Sequence, residues 1–325
     1  MNKIWKKSIK QMIWSVCCVA MLLGNVQVCA ASNASGEKTQ DSQMQEQIKE
    51  RAEKLRVRGA TIWPVTDVKM CNAAGEELET IEAGTPLKVL TYANGIFKIY
   101  DGKNTGFVDS NVCMINLPDI MQEEMQYDIT NSYYSIYKIH GDRIEGVTGE
   151  VLYPYVYIDE EEYLVPLLFP VAVHLYEAQE RAMESGYTLK VYDAYRPYAV
   201  TKDIYAKTTE FVTENPLYAK LMTEPVKGVT YKQSNFLAQS VSNHNYGVAV
   251  DITIADLETG RELEMQSPMH ELSTLSVLSL NNENANLLAD IMLSSGFKGL
   301  NSEWWHFEIR DYRGKYAAFQ AQPLE

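Results

Sequence analysis

Basic residues are scarce in this chain. Lys and Arg total 29 against 43 Asp and Glu in 325 residues, a formal net charge of −14. A chain so short of cations offers no stripe for a phosphate backbone, which argues against nucleic acid as a partner. Cysteine is scarce too. Of five cysteines, Cys17, Cys18 and Cys29 fall in the first thirty residues, and no CxxC pattern exists, so a thiolate metal site is excluded. There is no glycine-rich phosphate loop, no nucleophilic-serine elbow and no Cys–His pair, which removes phosphate-cradling and acyl-enzyme classes. No internal repeat is visible, so a solenoid is excluded.

What is present first is a targeting signature. Lys3, Lys6, Lys7 and Lys10 precede an apolar run from Met12 to Leu23, too short to span a membrane comfortably, and Val28-Cys29-Ala30-Ala31 follows. This is the layout of a secretory signal peptide over residues 1–30, with a retained anchor as the alternative. Val28 is too bulky for a lipidation signal. Export places Cys71 and Cys113 outside the cell, where a bridge between them and two buried thiols are both compatible with the sequence.

Residues 31–58 are polar and read as a linker with a short solvated helix near Gln43–Leu55. Residues 59–117 change character. Leu87–Tyr92, Ile96–Tyr100 and Gly106–Val108 are β-rich, with Asn94-Gly95 and Asp101-Gly102 as turns between them. Leu117-Pro118-Asp119 reads as a boundary, and 118–325 forms a second unit. There, aromatic-rich segments around Tyr133-Tyr134 and Tyr153–Tyr157 precede a helix over Pro170–Ser185, stopped by Gly186. A strand over Leu189–Asp193, a helix over Tyr198–Phe211, a strand over Val248–Ile254, a helix over Asn286–Ser295 and a strand over His306–Ile309 complete an α+β class.

Three clusters carry chemistry. In His244-Asn245-Tyr246-Gly247-Val248-Ala249-Val250-Asp251, a histidine stands before a strand and an aspartate on it, with small residues leaving room between them. In Glu303-Trp304-Trp305-His306, a carboxylate precedes an imidazole by three. His306 would complete a His-Asp-His set that leaves a fourth position for water, as catalytic zinc sites do. Glu303 would take that water's proton, and the tryptophans would dry the surroundings. Asp193-Ala194-Tyr195-Arg196-Pro197 sets an arginine at a strand end, suited to an oxyanion. Taken singly, each of these residues reads more readily as structural. His140 and His174 lack ligand spacing and read as structural.

Ser242-x-His244-x-x-Gly247-x-Ala249-x-Asp251, Glu303-Trp304-Trp305-His306 and the upstream Asp193–Pro197 together resemble the D-alanyl-D-alanine dipeptidase family, part of the zinc D-Ala-D-Ala peptidases, over roughly residues 125–315. The resemblance implies a mixed or antiparallel sheet flanked by helices and one Zn2+ held by His244, Asp251 and His306. It also implies Glu303 as general base, Arg196 as transition-state stabiliser, and Ser242 with Tyr195 and Trp305 at the substrate. Residues 59–117 resemble the bacterial SH3-like barrel of wall-acting enzymes, which implies a wall-binding module. One departure stands out. Where the family has Met-Gly, an aromatic and an Asp, this chain has Met265-Gln266-Ser267-Pro268-Met269-His270. His270 reads as a surface histidine, with a pocket role as the alternative.

The expected activity is hydrolysis of D-alanyl-D-alanine in peptidoglycan metabolism, in a secreted or wall-associated protein. Trimming of wall stem peptides as a DD-carboxypeptidase or endopeptidase is the alternative, and a non-catalytic wall-binding protein is the reading from another class.

Overall fold

The computed structural model describes residues 46, 49–121, 125–127, 137–144 and 165–313. The expected signal peptide, almost all of the linker before residue 49, and the aromatic segments at Tyr133-Tyr134 and Tyr153–Tyr157 lie outside the described residues.

Short alternating segments separated by glycine turns build the first sheet. Its strands are β1 (Thr61–Pro64), β2 (Val68–Cys71), β3 (Glu77–Ile81), β4 (Leu87–Ala93), β5 (Ile96–Tyr100), β6 (Thr105–Asp109) and β7 (Cys113–Asn116). Asn94 and Gly95 both adopt positive φ, 53° and 85°. That pair of left-handed residues matches the right-handed twist of the strands it joins, so Asn-Gly closes the β4–β5 hairpin as expected. The strand order is β11-β7-β1-β4-β5-β6-β2-β3, where β11 is Pro166–Leu168. The sheet is open: among the described residues nothing joins β3 to β11, so the expected closed SH3-like barrel is not seen. Cys71 and Cys113 are both buried with no bridge between them, and burial pushes the Cys113 thiol up.

β11 belongs to the second half of the sequence yet pairs antiparallel with β7, Leu167 opposite Ile115. The apolar core is continuous across the boundary at Leu117-Pro118, running from Ala52 through Trp63 and Ile115 to Trp305 and Tyr312. Helix α1 (Pro118–Met121) turns the chain there, and the Asp119 carboxylate accepts the Thr61 N–H at 2.7 Å. The first half of helix α2 (Phe169–Glu184) is buried on every side, while Arg181, Met183 and Glu184 at its end are exposed. It packs on β7 and β11 of one sheet and on β12 (Tyr187–Asp193) of the other. Pro170 sits in its first turn and Gly186, at φ 82°, follows its end. The Arg51 guanidinium, from the end of the expected linker, pairs with Glu177 of this helix.

The second sheet has the order β14-β15-β13-β12-β8, with β8 at Gln126–Tyr127, β13 at Ala249–Asp256, β14 at Lys298–Leu300 and β15 at Glu303–Glu308. All its pairings are antiparallel except β12 with β8. The small hairpin β9 (Lys138–Ile139) and β10 (Asp142–Arg143), with helices α3 (Tyr198–Glu214), α4 (Pro216–Met222) and α5 (Gln233–Phe236), surrounds a second apolar cluster. Helix α6 (Glu283–Ser294) packs on α2 and the second sheet. A cleft opens between the two apolar clusters, lined by Tyr137, Phe236 and Leu272 from one and Trp305 from the other.

Ile115 is fully buried between Ile62 and Leu167, at the seam of the two halves. Ile115→Ala is expected to cost about 2–5 kcal/mol. Thermal unfolding should then shift as one transition; two separate transitions, only one of them moved, would contradict a shared core.

Candidate metal centre

Three adjacent strands bring the polar residues of the cleft into a row. Asp251 on β13 lies directly opposite His306 on β15 and opposite Asp193 on β12. Cross-strand partners on one face sit side by side, so a single register aligns all three. Strict alternation would send Glu303 and His306 to opposite faces, since they are three apart. The strand is irregular here. Between its pairings with Gly299 and Leu300, β15 advances from Phe307 to Glu303 while β14 moves by one residue. That bulge lets Glu303 Oε2 approach His306 Nδ1 at 3.8 Å.

His244 arrives from a single 3-10 turn, Asn243–Tyr246, ended by Gly247 at φ 63°. A Cβ at Gly247 would stand 3.0 Å from Met114 Sδ and 3.2 Å from the Leu168 nitrogen, so glycine is required both by its φ and by the first sheet pressed against it. Asn245, fully buried, ties the turn to the Arg196 segment: its Nδ2 donates to the Arg196 carbonyl at 2.5 Å, and its Oδ1 accepts the Ser242 N–H at 2.7 Å.

His244 Nε2, His306 Nδ1 and Asp251 Oδ1 converge. Their separations are 3.2 Å between the two ring nitrogens, 3.1 Å from His306 to Asp251 and 3.4 Å from His244 to Asp251. Zinc bonds of about 2.0–2.1 Å at tetrahedral angles give ligand–ligand edges of about 3.3 Å. Hydrogen bonding supplies an independent test. His244 Nδ1 donates to the Ala194 carbonyl at 2.7 Å, and His306 Nε2 donates to Glu308 Oε2 at 3.1 Å. In the neutral rings this leaves lone pairs on the two nitrogens that face each other and the carboxylate. Three electron pairs meeting at one point need a cation between them, so the donor set fits zinc.

The charges around that point are buried and interdependent. Arg196 holds Asp193 Oδ2 through Nε at 2.9 Å and Nη2 at 2.5 Å, and its Nη2 lies 3.6 Å from Asp251 Oδ2. Glu308 is further engaged by Arg310 and Asn243. Without a metal, burial acts to raise the Asp251 carboxyl, but the charge and hydrogen bonds of His244, then hydrogen bonds from His270 and His306, hold it well below the usual range. Burial would lower His306, yet Asp251 and Glu308 outweigh it and push the ring up to about 10, so a proton takes the cation's part. Burial pushes Glu303 up to about 8, with Asp251 and Glu308 adding to the effect and His306 and Arg196 opposing it. Burial also works against the Glu308 charge, but His306, Arg310 and Asn243 hold that carboxyl at about 2.

The cleft has a volume of about 220 Å3 and is lined by Arg196, Ser242, His244, Asp251, Glu303, Trp305 and His306 among others. Of the residues expected at the site, Tyr195 alone is not brought to it. Its N–H bonds the Pro166 carbonyl and its ring is buried in the core. His270 corrects the surface reading: it is 2% exposed, lines the cleft and reaches Asp251 Oδ2 at 3.2 Å. Glu308 and Asn245 were not singled out from sequence. Glu308 stands two residues after His306, a spacing that signals a shared strand face only where the strand is regular; for Asn245 the sequence carried no signal.

Glu308→Ala is expected to weaken zinc binding about 10- to 100-fold by releasing the His306 ring, measured by competition with a chromophoric chelator. The pH dependence of chelator-treated protein follows from the raised groups. Glu303, ordinarily near 4.5, favours folding while protonated; that contribution is full below pH 4.5 and is lost as pH rises through about 8. His306, ordinarily near 6.5, loses its contribution in the same sense on the way to about 10. Thermal stability should therefore fall as pH rises from about 4.5 to 8, and Glu303→Gln should flatten that slope; an unchanged slope would contradict the burial of this carboxyl.

Residues 158–322 match the family model described as D-ala-D-ala dipeptidase. The D-alanyl-D-alanine dipeptidase of Enterococcus faecium is 29% identical over 159 residues, covering 46% of this chain and 77% of that protein. The dipeptidase of Enterococcus faecalis is 32% identical over 150 residues, covering 43% and 71%. That of Escherichia coli is 36% identical over 134 residues, covering 39% and 58%. A solved structure titled VanYB in complex with D-Alanine-D-Alanine is a distant likeness, at 16% identity and a TM-score of 0.30 over 57% of this chain and 95% of that one. A superposition that loose supports nothing about fold or ligand. The family match and the enterococcal relatives agree with the motifs and with the His-Asp-His cluster: the chain belongs to the D-Ala-D-Ala dipeptidase family of zinc peptidases.

Proposed function

We propose that His244, Asp251 and His306 hold one zinc ion, and that the chain hydrolyses the amide bond between two D-alanine residues in peptidoglycan metabolism. The observation that carries this reading is the convergence of three lone pairs at zinc-like separations, with a buried carboxylic acid beside them. Zinc bound there would polarise the scissile carbonyl and lower the pKa of water.

The chain's own groups divide the remaining work. Glu303 takes a proton from the attacking water and returns it to the leaving D-alanine nitrogen; a carboxyl lifted toward neutral pH is suited to both directions. Arg196, buried in the cleft wall and anchored by Asp193, presents fixed positive charge where the carbonyl oxygen becomes anionic. Ser242 lies on the lining beside His244 and is available to the substrate's terminal polar groups. Trp305 excludes water behind the reacting bond. A cavity below the 300–1,000 Å3 typical of drug-sized ligands suits a dipeptide or the last residues of a longer peptide.

A second reading keeps the chemistry and lengthens the substrate. The basic and apolar N-terminal segment supports export, and outside the membrane D-Ala-D-Ala is found mainly at the ends of wall stem peptides. In that case residues 59–117 would serve as the wall-binding part of a secreted enzyme. A purely wall-binding protein would have no use for Glu303 and Arg196 at a complete metal site.

Glu303→Ala is expected to abolish hydrolysis of D-alanyl-D-alanine while zinc content stays at one per chain by metal analysis; retained turnover would remove Glu303 from this role. Assay of free dipeptide beside a stem pentapeptide separates the two substrate readings by product mass. Chelation should silence both activities and added zinc restore them.

A further inference from the structure

His270 has no assigned part in the reaction, yet its setting is built rather than incidental. Its backbone sits at φ 56°, a conformation an L residue adopts only at a cost. The neighbouring hairpin holds it there. The Lys138 N–H bonds the His270 carbonyl at 3.1 Å, and the Leu272 N–H bonds the Lys138 carbonyl at 2.7 Å. The Glu271 side chain accepts the His140 and Gly141 N–H groups at 2.5 and 2.8 Å. Aromatic rings enclose the imidazole. Tyr137 stacks on it with centroids 4.9 Å apart, and Trp305 and Tyr192 meet it edge-on at 6.0 and 6.4 Å. Its Nε2 edge faces Asp251.

The two oxygens of Asp251 have different surroundings. Oδ1 faces the nitrogens of His244 and His306. Oδ2 faces Arg196 Nη2 at 3.6 Å, beyond a good hydrogen bond, and His270 Nε2 at 3.2 Å. A carboxylate with both oxygens free could rotate or bind a metal through either one. A donor on Oδ2 fixes the plane of the group and leaves Oδ1 for the ion.

We propose that His270 is the positioning residue for Asp251: its Nε2–H holds Oδ2, so that Oδ1 points to the metal and Arg196 stays free to face the substrate. The inference rests on the zinc reading of His244, Asp251 and His306. An acid at this position would set a second negative charge against Asp251, whereas the imidazole donates to it. Removing His270 leaves Arg196 as the nearest remaining donor and draws the guanidinium toward Asp251, away from the developing oxyanion.

The test compares two variants of the full chain by zinc affinity, read with a chromophoric chelator. His270→Phe keeps a ring between Tyr137 and Trp305 but has no N–H; His270→Gln keeps a donor near the Nε2 position. His270→Phe is expected to raise the zinc Kd about 10- to 100-fold and to lower kcat with little change in KM. His270→Gln should recover most of both losses. A His270→Phe protein that binds zinc within twofold of the wild type would overturn the proposal, as would a Gln variant no better than Phe. Should the Phe variant not fold, 15N spectra of the zinc-loaded wild type decide: an Nε2–H tautomer at His270 is expected, and an Nδ1–H tautomer overturns the proposal. If the wild type itself binds no zinc at one per chain, the metal reading falls and this inference with it. Zinc binding that is normal in both wild type and His270→Phe removes the inference alone.

Discussion

The buried Asp251 carboxylate is the group around which the rest of this protein is arranged. An isolated anion with so little access to water would be strongly destabilising, so it needs positive charge or donors close by. Arg196, His244, His270 and His306 surround its two oxygens, and each is in turn held by a second partner: Asp193, the Ala194 carbonyl, the aromatic box and Glu308. Buried acids nevertheless outnumber buried fixed cations, which explains both the raised Glu303 and His306 in the metal-free protein and the suitability of the site for a divalent ion.

The two sheets serve that arrangement differently. The second sheet provides the register that lines up Asp193, Asp251 and His306. The first sheet acts from behind. β7 and β11 press on Gly247 through Met114 and Leu168, setting the height at which the His244 turn meets the strand row. Helix α2 packs on both sheets, so the β-rich N-terminal segment shares the apolar core that supports the centre.

Much of the site was legible in the chain. The spacing of His244 and Asp251 around Gly247 and the Glu303–His306 pair, joined by the family resemblance, singled out the residues that the structure gathers at the centre. The helix over 169–184 followed from apolar periodicity with Pro170 and Gly186 as boundary signals, and the helix expected over Tyr198–Phe211 runs on to Glu214. Local rules failed where long-range contact decided the outcome. The resemblance of residues 59–117 implied an SH3-like barrel, but Leu167, from the second half of the sequence, pairs with Ile115 and extends the sheet instead. Tyr195 looked like a substrate contact from its place in the motif, and a backbone bond to Pro166 turns it into the core. His270 carried only polar character in the sequence, which says nothing of burial when the enclosing rings come from residues 137, 192 and 305.

The amino-acid sequence by itself pointed to the proposed ligating and catalytic side chains and to the longer strands and helices of the second unit, since these depend on residue chemistry and on spacings of a few positions. Tertiary structure decided the rest. The β15 bulge turned Glu303 and His306 toward one point, the cross-strand register set the distances among the ligands, and packing of distant aromatics made a histidine at position 270 a partner of Asp251. Those outcomes depend on which strands meet and in what register, and that is fixed by burial of a shared core rather than by any local pattern.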